Sequence, residues 1–170
     1  MKQIACLRTV AILSLMVPTW LALGPEACTA QTLADKQEEL PALLKAEPLE
    51  QAPADNELQK LLKDRYNAAL KATQASTKDY LAGRGTLDLV LEQAKQLLTS
   101  ELQLTDVPRE QASALEKHLQ LAQYIEKVCK VRYEAGKLSS ADYERARYFR
   151  LDTEIQLLRA KQQAESPRPK

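Results

Sequence analysis

Apolar and small residues recur at helical spacing through most of the chain. Leu62, Tyr66, Ala69, Thr73, Ser76 and Tyr80 follow one another at 4, 3, 4, 3 and 4 residues, the spacing of a coiled-coil seam. The middle of that seam is small, so a partner helix can come close. The pattern predicts a first long helix over 56–82, about 40 Å from end to end. A second, over 87–105, carries Leu87, Val90, Leu91, Ala94, Leu97, Leu98 and Leu102 on one face. A third, over 109–135, is lined by Leu115, Leu119, Ala122, Ile125, Cys129 and Tyr133. A fourth, over 140–164, is lined by Tyr143, Ala146, Phe149, Leu151, Ile155 and Leu158.

The breaks between these runs follow a rule. Tyr80-Leu81-Ala82-Gly83-Arg84-Gly85-Thr86 separates the first two helices, and Tyr133-Glu134-Ala135-Gly136-Lys137-Leu138-Ser139 the last two. Helices commonly end on a residue at positive φ, which glycine adopts at least cost, so Gly83 and Gly136 read as the stops. Arg84 and Lys137 put a cation at the negative helix end. Thr86 and Ser139, three residues after each glycine, are placed to cap the next helix. Ser139 and Asp142 have the spacing of a capping box, with Asp replacing the usual Glu. The middle break, Asp106-Val107-Pro108, differs: Asp106 is available as a cap and Pro108 suits a first helical turn.

A shift of 53 residues superimposes the two halves. Leu62 meets Leu115, Ala69 meets Ala122, Tyr80 meets Tyr133, and Gly83 meets Gly136. Beyond the turn, Leu98 meets Leu151, Glu101 meets Glu154, Leu102 meets Ile155, and Leu104 meets Leu157. A duplicated unit with a matched register is expected to bury the same face twice. The fold class that follows is all-α: two antiparallel helical hairpins, 56–105 and 108–165, forming a four-helix bundle or coiled coil. Both glycine turns would lie at one end and the Pro108 joint at the other.

The ends of the chain are different material. Residues 1–30 read as an export signal. Lys2 and Arg8 precede an apolar run from Val10 to Leu23, and small residues precede a cut before Gln31. The chain is therefore expected to be exported, and periplasmic or associated with an outer membrane. Residues 31–55, punctuated by Pro41, Pro48 and Pro53, read as a flexible linker with a short helical stretch at most. Residues 166–170 form a basic tail. Removal of the leader takes Cys6 and Cys28 with it and leaves Cys129 alone, on an apolar stripe; a buried thiol is the plainer reading and a link to another chain the sharper one.

Composition removes most chemistry. Lys and Arg number 24 against 23 Asp and Glu, so no net field recruits nucleic acid. His118 is the single histidine and reads as a surface or seam-edge residue. Histidine-rich metal sites and Ser-His-Asp catalysis are disfavoured. No glycine-rich phosphate loop occurs, and carboxylates alternate with cations at helical spacing, as solvated faces do. No enzyme, cofactor or small-molecule substrate is implied.

The phrase Arg132-Tyr133-Glu134-Ala135-Gly136-Lys137-Leu138-Ser139-Ser140-Ala141-Asp142, followed by Ala146 and a long Leu/Glu helix, resembles the helical-hairpin signature of the outer membrane efflux proteins, the TolC-like family. That family also repeats the hairpin. The resemblance covers residues 56–164. It implies that the glycine turns form a tip that meets the helical hairpin of a periplasmic adaptor protein. The tip residues would be Gly83, Arg84, Gly85 and Thr86 with Gly136, Lys137, Leu138 and Ser139. No alternating strand segments of barrel length occur, so the resemblance is to a reduced, barrel-less relative with coiled-coil partners, a homo-oligomer among them. A stand-alone periplasmic bundle acting as scaffold, chaperone or ligand binder is the other expectation.

Overall fold

The computed structural model describes residues 40–165. The export signal, residues 31–39 of the linker and the 166–170 tail lie outside the described residues. The described body is all-helical, with no strand in it. Five helices follow one another: α1 (Ala42–Lys45), α2 (Glu57–Leu81), α3 (Leu87–Leu102), α4 (Pro108–Glu134) and α5 (Ser140–Glu165).

Their ends have local causes. Asn56 accepts from the Gln59 backbone N–H at 2.8 Å, while the Gln59 side chain accepts from the Asn56 N–H at 2.9 Å, a complete capping box. The Thr86 hydroxyl accepts from Leu89 N–H and starts α3. The start of α4 departs from expectation. Val107, not Asp106, is the N-cap, and it makes no side-chain cap bond. Pro108 in the first turn needs no N–H partner there. Thr105 fills the gap: its hydroxyl accepts from Val107 N–H at 3.1 Å and donates to the Glu110 carboxylate.

α2 and α3 pack antiparallel. Arg65 meets Gln103, and the Thr73 hydroxyl lies within hydrogen-bonding distance of Gln93 O at 3.0 Å and Ala69 O at 2.8 Å. α4 and α5 pair in the same way, with Lys161 on Glu116 at 2.8 Å and the Arg150 guanidinium on Glu126 at 2.7 Å. α3 joins the pairs by packing on α4 and, less extensively, on α5. The larger apolar cluster holds Tyr66, Leu70, Val90, Leu97, Leu121, Ile125 and Phe149; Leu98, Leu115 and Leu157 anchor a second.

The stripes expected for the first three helices are buried or half-buried, with Tyr133 as the exception. The fourth is not. α5 buries Ala146, Phe149, Thr153, Leu157 and Ala160, while Leu151, Ile155 and Leu158 stand 40–57 % exposed. The matched register across the repeat therefore fails beyond the second turn. Ala94 and Leu97 fall eight and eleven residues after the cap Thr86, whereas Ala146 and Phe149 fall seven and ten after Ser139. One residue is about 100° of helix rotation. α5 carries apolar residues on two faces, and α3 and α4 cover only one.

Residues 40–55 also depart from the linker expectation, because they are docked. Leu43 of α1 is 2 % exposed in the main core. Gln74 donates to Leu43 O and Ala46 O. The Asn67 amide accepts from Leu49 N–H at 2.7 Å and donates to Leu49 O at 2.8 Å, completing a backbone pair that has no strand to meet. Lys63 bonds both Glu50 O and the Asp55 carboxylate. The three prolines that suggest a linker permit an extended path across α2, and side chains of α2 hold it there.

Candidate functional site: the glycine-turn end

Both glycine turns are of one type. Gly83 has φ 74° and Gly136 φ 67°. At the first, Gly83 N–H reaches Tyr80 O at 3.0 Å and Arg84 N–H reaches Asp79 O at 2.9 Å; at the second, Gly136 N–H reaches Tyr133 O at 2.9 Å and Lys137 N–H reaches Arg132 O at 2.8 Å. These are paired Schellman closures that satisfy the last helical carbonyls. The turns then diverge. Gly85 N–H shares Asp79 O, and a Cβ there would sit 3.0 Å from Tyr80 N. The matching residue in the second turn is Leu138, half-buried against the core. Ser139 accepts from Asp142 N–H at 3.1 Å, but its hydroxyl donates back to the Asp142 carboxylate at 2.7 Å. The expected capping box is thus closed between side chains, because Asp is one methylene short of Glu.

The two turns lie side by side, and Arg132 joins them. Its guanidinium donates to Tyr80 O at 2.9 Å and Leu81 O at 3.1 Å and lies 4.2 Å from the centre of the Tyr80 ring. A cation from α4 therefore closes the C-terminus of α2, where the helix dipole favours it. Arg145 reaches Asp88 at 2.5 Å, tying the start of α5 to the start of α3. Tyr133 and Tyr143 stack at 5.3 Å across the second turn. Of the eight tip residues named from the sequence, Gly83, Arg84, Thr86, Gly136, Lys137 and Ser139 are exposed; Gly85 and Leu138 are half-buried.

Under the tip, Tyr80 Oη lies 3.4 Å from Cys129 Sγ, both buried. Burial pushes the Tyr80 phenol up to about 12, with the Cys129 contact adding to it. Burial also raises the Cys129 thiol, which Tyr80 opposes by hydrogen bonding. Cys129 is fully enclosed, in keeping with the plainer of its two readings.

A polar cluster deeper in the bundle corrects the reading of His118. The ring is 0 % exposed and its Nε2 lies 2.9 Å from Glu101 Oε2. An ionised carboxylate only accepts, so Nε2 carries the proton. Lys117 Nζ approaches the other oxygen at 3.2 Å. Burial raises the Glu101 pKa, but the His118 bond and the charges of His118 and Lys117 outweigh it, holding the carboxyl below its ordinary range. His118 Nδ1 is buried without a partner. The signal for burial was present: Leu115, His118, Ala122, Ile125 and Cys129 step at 3, 4, 3 and 4. Glu101 gave none, because its partners come from another helix.

Among the described residues no group of side chains could hold a metal ion, and no helix is long and apolar enough to cross a membrane. No family model, curated protein or solved structure matches the chain.

Proposed function

We propose that the chain is an exported, non-enzymatic interaction module built from two antiparallel helical hairpins, in which the glycine-turn end docks on the helical hairpin of a protein partner. The observation that carries it is the tip itself. Two positive-φ turns lie together and leave Arg84 and Lys137 exposed, above a base in which hydrogen bonds link Arg132, Tyr80 and Cys129. A preorganised tip loses little freedom on docking. The resemblance to TolC-like hairpins points to a partner of the periplasmic adaptor kind, and to a place in an envelope efflux or transport assembly. The described residues contain no strand to complete a membrane barrel.

A photoreactive residue at Lys137 in cells tests this. Capture of a protein with a long helical hairpin is the expected result. Gly136→Val, which disfavours the positive φ, is expected to abolish that capture. Capture of no helical-hairpin protein, or capture unaffected by Gly136→Val, leaves a self-contained bundle acting as scaffold, chaperone or ligand binder.

A further inference from the structure

The outer face of α5 is apolar and nothing within the described chain covers it. Tyr148, Leu151, Ile155 and Leu158 are 67, 40, 47 and 57 % exposed. They step at 3, 4 and 3 residues, the a/d spacing of a coiled-coil seam. At 100° per residue their mean direction lies about 180° from that of the buried residues Ala146, Phe149, Thr153, Leu157 and Ala160. With Tyr148 and Ile155 at a, and Leu151 and Leu158 at d, the flanking g positions are Arg147, Glu154 and Lys161, and the e positions are Arg145, Asp152 and Arg159.

The flanking charges select the occupant. In a parallel pair of α5 helices each g residue faces the e residue five positions on in the other strand. That places Arg147 opposite Asp152 and Glu154 opposite Arg159, both of opposite sign, and each pair occurs twice. In an antiparallel pair g faces g and e faces e. Arg147 would then face Lys161, Glu154 would face Glu154, Arg145 would face Arg159, and Asp152 would face Asp152, all of like sign; Lys161, Glu154 and Arg145 also hold partners of opposite charge in their own chain, Glu116, Arg150 and Asp88, so the facing Asp152 carboxylates weigh most. We infer that this face is the seam of a parallel, two-stranded coiled coil with a second copy of this chain. It uses the side of α5 rather than the tip and does not rest on the docking reading above. The apolar seam covers only two heptads, so the pair is a weak one, forming at tens of micromolar rather than nanomolar.

Sedimentation equilibrium of the full-length chain over about 1–200 µM tests it. A monomer–dimer equilibrium is expected. Ile155→Lys, at an exposed position, is expected to leave a helical monomer. Arg147→Glu is expected to weaken association by roughly fivefold, and adding Asp152→Arg to restore it. A chain that stays monomeric throughout overturns the proposal, whether or not it binds lipid vesicles. So does dimerisation indifferent to Ile155→Lys, which would place the contact elsewhere. Arg147→Glu tightening association would also overturn it, because that substitution relieves the Arg147–Lys161 repulsion of the antiparallel arrangement.

Discussion

Removing the Glu101 carboxylate is the sharpest probe of the buried polar cluster. Glu101 is 8 % exposed and His118 fully enclosed. Glu101→Ala leaves the His118 Nε2–H without its acceptor, beside an Nδ1 that already lacks a partner. An orphaned buried donor costs about 1–3 kcal/mol, and more where the lost partner carried a charge, as the Glu101 carboxylate does. Lys117 is half-exposed and regains water, so it adds little, and the cost is roughly 2–4 kcal/mol. For a helical body of this size that is a fall in Tm of about 6–12 °C. Urea unfolding followed by circular dichroism at neutral pH measures the cost, and a cycle with His118→Leu isolates the pair. The coupling should exceed about 1 kcal/mol. The cluster also sets an acid limb. The folded Glu101 pKa is lowered, so its contribution is complete above the unfolded glutamate value and is lost as pH falls through the folded one. Glu101→Gln should flatten that limb. Single costs that add to within about 0.3 kcal/mol, or an unchanged acid limb, would refute the pairing.

Other outcomes follow from the same geometry. Gly136→Ala and Gly83→Ala meet open space, so each should cost only about 1–2 kcal/mol of backbone strain, whereas Gly85→Ala strikes the Tyr80 backbone and should cost more; urea midpoints rank them. Arg132→Ala removes two caps on α2 and the contact over Tyr80, and should lower stability by about 1–2 kcal/mol with faster amide exchange at Tyr80 and Leu81. Leu43→Ala should cost about 2–4 kcal/mol in thermal unfolding, and a cost below about 0.5 would mean that residues 40–55 are not docked. With Cys6 and Cys28 replaced by Ser, Cys129 should react with a thiol reagent only as fast as the bundle opens, because it is enclosed and its thiol is raised.

What could be read along the chain was whatever short-range chemistry decides. Gly83 and Gly136 end helices because positive φ is cheap only there, and Thr86 and Ser139 begin them because a hydroxyl three residues away meets a free N–H. The buried faces of α2 and α3 followed from spacing, since most of the apolar residues of each lie on one side. Packing alone decided the rest. α5 offers two apolar faces, and periodicity could not say that Phe149 and Leu157 would be covered while Ile155 stayed in water. Glu101 and His118 meet across 17 residues, and Leu49 finds Asn67 across 18. Such pairings cross between helices or between a segment and a helix, and no pattern within one element encodes which neighbour it will meet.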